Sequence, residues 1–138
     1  MTESSHQRIV SNEVAHHQSP IPLGVIGNGL IFLSAVRGVH PETSTLADGA
    51  EAQLQQAFKN MSTTLAAAGV TAREVLRVGV YAKDLASLRG PLDAVWVETF
   101  GDDPPARFAI GVNDIGRTGD GTEILLEVIA LAAAGSAS

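Results

Sequence analysis

The 138-residue chain has no cysteine, which excludes disulfide staples, thiolate nucleophiles and cysteine-ligated metals. It has no apolar run approaching the roughly 20 residues a membrane helix needs, so no membrane association is expected. Clustered positive charge is also missing: nine Lys and Arg are scattered among fifteen Asp and Glu, for a net charge of -6. Neutralising phosphates requires grouped cations, so nucleic acid is not an expected partner. Metal motifs are absent as well. His16 and His17 are neighbours that point to opposite sides of an extended chain, and neither has a second ligand four residues on. His40, beside Pro41, reads as a turn residue, and no metal or cofactor is expected. The first twenty residues lack an apolar core of the signal-peptide kind, so the expected location is cytoplasmic. What remains is one domain's worth of chain, 45% hydrophobic and 17% charged. A single globular domain over 1–138 is expected, with frayed ends at 1–5 and 134–138.

Arg8 to Val10 suggests a short strand, and Ser19-Pro-Ile-Pro22 is a stiff, non-helical connector. Leu23 to Ile26 and Leu30 to Ala35 then read as two strands joined by Gly27-Asn28-Gly29, a hairpin signal. Ser34 closes the second strand as a turn former, with no histidine and acid spaced to make a triad. Asp48 to Ala68 predicts a helix. Asp48 and Glu51 resemble a capping box, and Leu54, Phe58, Met61, Leu65 and Ala68 form one apolar stripe that ends at Gly69. Val75 to Lys83 alternates, with Leu76, Val78, Val80 and Ala82 on one face and Arg77, Gly79, Tyr81 and Lys83 on the other. A second helix is expected over Ser87 to Phe100, where Pro91 is tolerable only in the first turn. Asp93 on that helix reads as a surface residue.

The stretch from Asp102 to Ala133 carries the chemistry. Pro104 and Pro105 force an extended approach, so a strand begins near Ala106 and reads as mostly buried, with Arg107 at its start. Asn113 to Gly121, with three glycines and two aspartates, is a loop. Glu123 to Ala132 resumes as a strand that is apolar apart from Glu123 and Glu127. A buried arginine needs a partner, since removing that partner costs about 3–5 kcal/mol. Arg107 therefore faces either a structural carboxylate, Glu127 foremost, or the carboxylate of a ligand, and the residues alone leave both open. The element order implies an α+β fold, with two helices on one face of a mixed sheet. The other face, bearing Tyr81 and Phe108, is left open, which points to a homo-oligomer.

At Leu30-Ile-Phe-Leu-Ser34, Gln53 to Asn60 with Leu65 to Gly69, Val78 to Asp84, Phe100, and Pro105-Ala-Arg107 followed by Glu127-Val-Ile-Ala130, the chain resembles the RidA/YjgF family. These are small enamine/imine deaminases, also labelled endoribonuclease L-PSP. The resemblance covers about residues 23–132. It implies a chorismate-mutase-like fold, a homotrimer with sites between subunits, and a small-molecule carboxylate as ligand. By the same resemblance Arg107 grips the carboxylate of a 2-imino acid, a grip that suits guanidinium fork geometry, and Ser34 lines the pocket.

The resemblance also locates departures. The family's pocket tyrosine falls on Ile21 and its helix asparagine on Asp93. The small polar residue after its arginine falls on Phe108, and the first glutamate of its last strand falls on Leu125. The expected site is thus Arg107 as anchor, Glu127 or Glu123 positioning water, and Ser34, Ile21, Asp93 and Phe108 as substrate contacts. The expected function is hydrolytic deamination of reactive 2-imino or enamine carboxylates, with altered specificity. The alternative is a non-catalytic trimer that binds a small carboxylate in a regulatory or scavenging role. The ribonuclease implied by the older label fits poorly with the acidic balance.

Overall fold

The computed structural model describes residues 5–116 and 119–135. Of the expected frays at 1–5 and 134–138, residues 1–4 and 136–138 lie outside the described residues. The elements run β1 (Gln7–Arg8), β2 (Gly24–Gly27), β3 (Leu30–Leu33), β4 (Val36–Arg37), α1 (Ala50–Ala67), a 3₁₀ turn (Ala72–Glu74), β5 (Val75–Ala82), α2 (Leu85–Phe100), β6 (Ala106–Gly111) and β7 (Ile124–Leu131). The strands form one sheet in the order β1-β2-β3-β7-β5-β6, with β4 also paired to β7. β5 and β6 are parallel and the other pairs antiparallel. Parallel neighbours need a crossover, and α2 supplies it.

Asn28 and Gly29 close the β2–β3 hairpin with φ of 53° and 80°, the two positive values that a tight hairpin turn requires. β7 is the spine of the sheet. Its Ile124, Leu126, Val128 and Ala130 are at most 1% exposed, whereas Leu125, Glu127 and Ile129 alternate onto the other, half-covered face. Both helices pack on the first face, where the α1 stripe of Leu54, Phe58, Met61 and Leu65 is sealed from solvent. Each such side chain contributes about 1.5–3 kcal/mol by leaving water.

Several local expectations need correcting. The Asp48 capping box does not form. Gly49, at φ 93°, turns the chain into α1 and becomes its N-cap, so Asp48 stands one residue too early, and the helix has no side-chain cap. α2 starts at Leu85, capped by Asp84 accepting from the Ser87 N–H at 3.3 Å. Pro91 therefore lies beyond the first turn, where it removes the N–H that would reach the Ser87 carbonyl; burial of Leu88 and Leu92 holds the helix through it. In β5 the pairing with β7 slips between Val75 and Arg77. This bulge turns Val75 into the core and leaves Leu76 43% exposed, against the strict alternation expected of it. The predicted strand Leu30–Ala35 ends at Leu33, after which the chain bends and β4 takes a separate place on β7. β6 is not mostly buried. It is an edge strand, and its residues are exposed or half-covered.

Candidate functional site

Arg107 sits in register with Val78, a core residue of β5, and so projects to the helix face of the sheet. At the sheet edge it is not buried. Its guanidinium lies 5.0 Å from the Trp96 ring centre, and its Nη1 donates to Asp93 Oδ1 at 3.1 Å. The carboxylate partner expected within the chain is therefore Asp93 of α2 rather than Glu127. Asp93 is 69% exposed and Arg107 32%, so the pair is solvated, and such pairs contribute about 0–1 kcal/mol.

Glu127 faces the opposite side. It projects from β7 to the open sheet face, where Tyr81 donates its hydroxyl to Oε1 at 2.8 Å and Arg77 lies 3.6 Å from Oε2. Phe108 stands on this face too. Its ring packs edge-on to Tyr81 at 5.7 Å, with the Arg77 guanidinium 5.4 Å from its centre. The Phe108 ring occupies the space above Gly79, where any Cβ would stand 2.8 Å or less from ring carbons. Glycine at position 79 is what leaves room for the ring there. The Tyr81 phenol is raised above its ordinary 10 by its hydrogen bond to Glu127, then by burial and by the Glu127 charge, with Arg77 opposing. Beside this group lies an open cavity of about 360 Å³, walled by Leu33, Val112, Ile115 and Leu125, with Tyr81, Asp114 and Glu127 as polar members.

A second, smaller cavity of about 210 Å³ opens between the N-terminal segment, the β3–β4 bend and α1. Ser34 lines it, with His17, Arg37, Asn60 and Thr64. The Asn60 side chain fastens the bend to α1 by donating to the carbonyls of Arg37 and Val39 at 3.0 and 2.8 Å. Arg37 in turn holds the loop before β7, through Thr122 Oγ1 at 2.9 Å and Asp120 Oδ2 at 3.5 Å. Ile21 is 47% exposed on the neighbouring connector. Glu123 is pinned by its backbone. Its N–H donates to Gln53 Oε1 at 2.8 Å, its carbonyl accepts from Lys83 N–H at 3.0 Å, and it does not line the 360 Å³ cavity.

One chain thus divides the expected site residues among three places. Arg107 and Asp93 meet at the β6 edge. Glu127, Phe108 and Leu125 share the open face, and Ser34 and Ile21 lie near the N-terminal connector. The β5 alternation placed Tyr81 and Arg77 on the open face, but the sequence did not show either as a partner of Glu127. Among the described residues no group of three His, Asp or Glu stands close enough to hold a metal ion, and no helix is long and apolar enough to cross a membrane.

Two helices on one face of a mixed sheet, with the opposite face open, define the architecture. A family model described as Endoribonuclease L-PSP matches residues 11–134. A RutC family protein of Aquifex aeolicus is 29% identical over 126 residues, covering 86% of this chain and 98% of that one. Reactive Intermediate Deaminase A, chloroplastic, of Arabidopsis thaliana is 31% identical over 106 residues, 75% of this chain and 56% of that protein. The crystal structure of RidA from an Antarctic Psychrobacter species superposes with a TM-score of 0.84 at 27% identity, over 91% of this chain and 98% of that one. The chain belongs to the RidA/YjgF family, the Endoribonuclease L-PSP group, and has its fold.

Proposed function

We propose that this protein hydrolyses reactive 2-imino or enamine carboxylates, with Arg107 as the carboxylate anchor. The observation that carries this reading is the state of Arg107. Its guanidinium is preset over Trp96 on an edge strand, and its carboxylate partner, Asp93, is 69% exposed. Releasing so weak a partner costs little, so a ligand carboxylate can take its place in a bidentate grip. The iminium carbon needs no further activation. Water adds to it, the carbinolamine loses ammonia, and the products are a 2-oxo acid and ammonium. The protein's part is orientation and hydrogen bonding, with Glu127 as the group that holds the water. The relative named Reactive Intermediate Deaminase A supports this reaction class.

Arg107 and Glu127 lie on opposite faces of one sheet, so the full site requires a second copy whose β6 edge meets the open face of the first. That face carries exposed Phe32, Ile110 and Leu131 at 45–47%, which supports a homotrimer with sites between subunits. One observation favours the alternative of a binding protein without turnover: both Glu127 oxygens are engaged, one by Tyr81 and the other by Arg77. The deciding experiment uses an amino-acid oxidase to generate 2-imino acids of varied side chain, with semicarbazide trapping whatever stays unhydrolysed. Arg107-dependent acceleration of imine loss is the expected result. No acceleration with any imine, while Arg107 is still needed for carboxylate binding, establishes the binding protein instead.

A further inference from the structure

The open-face cavity has an acceptor with no assigned use. Tyr81 lies directly across the strand pair from Leu125, with Glu127 two residues further along β7. Its ring is braced edge-on by Phe108, so the hydroxyl is held in place and its single proton is committed to Glu127 Oε1 at 2.8 Å. A phenol that donates still has lone pairs to offer. Because Glu127 holds the phenol above its ordinary value, the hydroxyl stays protonated and this polarity persists through neutral pH. The ionic groups at the cavity wall are Glu127 and Asp114; Arg77 stands 3.6 Å from Glu127 Oε2 without lining the cavity, and no cation lines it among the described residues. Asp114 turns one oxygen back to the Ile115 N–H at 2.9 Å. The remaining walls, Leu33, Val112, Ile115 and Leu125, are apolar.

We propose that the Tyr81 oxygen is the specificity-determining acceptor of this cavity, which selects ligands bearing an N–H donor at C2 beside a branched or aromatic apolar side chain. An imino or amino nitrogen donates to the phenol oxygen and is favoured by the adjacent negative charge. A 2-oxo group, which only accepts, meets lone pairs instead. This sets a direction for the reaction, since the cavity holds the imine and releases the oxo product. The inference rests on the carboxylate reading for its ligand class but not on turnover.

The test compares L-leucine with 4-methyl-2-oxopentanoate, which share a side chain and a carboxylate and differ at C2. Binding of each to the full-length protein is measured by titration calorimetry, for wild type and Tyr81→Phe, with thermal melts as a check on folding. Wild type is expected to bind leucine at least about tenfold more tightly than the oxo acid, the scale of a hydrogen bond to a charged group. Tyr81→Phe should lose about tenfold for leucine and stay within about threefold for the oxo acid, a split that a merely structural residue would not produce. Equal loss for both ligands, no wild-type preference, or no binding of either overturns the proposal. Glu127→Gln keeps an acceptor for the phenol but removes the charge, so it should weaken leucine alone; it carries the test if Tyr81→Phe does not fold. Selectivity that survives in a protein showing no imine hydrolysis removes the deaminase and leaves the role of Tyr81 standing.

Discussion

Gly38 marks where β4 runs closest to α1, and replacing it by alanine is the sharpest test of how the layers are fastened. A Cβ there would fall on the backbone of Gln53, 2.7 Å from its carbonyl carbon and nearer still to its Cα and oxygen. The obstacle is helix backbone, not a side chain that can swing away. α1 cannot withdraw cheaply, since Leu54, Phe58 and Met61 on the same helix are at most 2% exposed. The bend must withdraw instead, and that strains the two bonds from Asn60 to the carbonyls of Arg37 and Val39. Overpacking costs about 1–3 kcal/mol, and each lost hydrogen bond about 0.5–1.5 kcal/mol. The expected destabilisation is about 2–6 kcal/mol, a large share of the roughly 5–15 kcal/mol that holds a domain folded. Urea unfolding should show a lower midpoint with an unchanged slope. Gly90→Ala is the matched control. Gly90 lies inside α2 with nothing beyond its own stretch of helix within 4 Å of an added Cβ; the gain of about 0.5–1 kcal/mol that alanine brings to a helix interior is opposed there by the clash of its Cβ with the Pro91 ring, so the net change should be small. A loss below about 1 kcal/mol for Gly38→Ala would refute the close approach.

Two other outcomes are expected. The buried Gln53 side chain donates to the Gly121 carbonyl at 3.0 Å and accepts from the Glu123 N–H at 2.8 Å, so Gln53→Ala leaves two backbone groups unpaired. That should cost about 2–4 kcal/mol in chemical denaturation and speed amide exchange at Glu123. The His17 ring is held below its ordinary 6.5, by burial foremost and then by the charges of Arg37 and His16. Above that value the ring is neutral in both states. As pH falls through it the unfolded chain takes up the proton first, so stability declines until the lowered folded value is passed. The urea midpoint should therefore drop as pH falls through the ordinary histidine value and below it, and His17→Asn should flatten the slope.

The features legible in the sequence are those set by local periodicity. The apolar run of β7, the α1 stripe and the Gly27-Asn28-Gly29 turn each depend on neighbours in the chain, and each appears in the fold. What was not legible depends on register between distant segments. The slip that exposes Leu76 exists only because β5 pairs with β7, and a one-residue offset leaves no trace in the composition of either strand. Arg107 meets Asp93 rather than Glu127 because parallel pairing with Val78 aims it at α2. Which face a strand's first residue takes is fixed by its partner. The Tyr81–Glu127 bond spans 46 residues and follows from the same strand pairing, so alternation identified the face but not the contact.

The two borders of the sheet have a consequence for how copies of the chain can meet. An unpaired strand border presents free N–H and C=O groups, a template for endless strand addition. Here one border, β1, is only two residues long, and the other, β6, is entered through Pro104-Pro105 and carries the charge of Arg107. Proline withholds a donor and arginine resists being sandwiched, so growth from border to border is disfavoured. Any contact between copies is thereby left to side chains rather than to strand addition. The arginine that guards this border is the same one proposed to anchor a ligand carboxylate, so one side chain would serve both solubility and recognition.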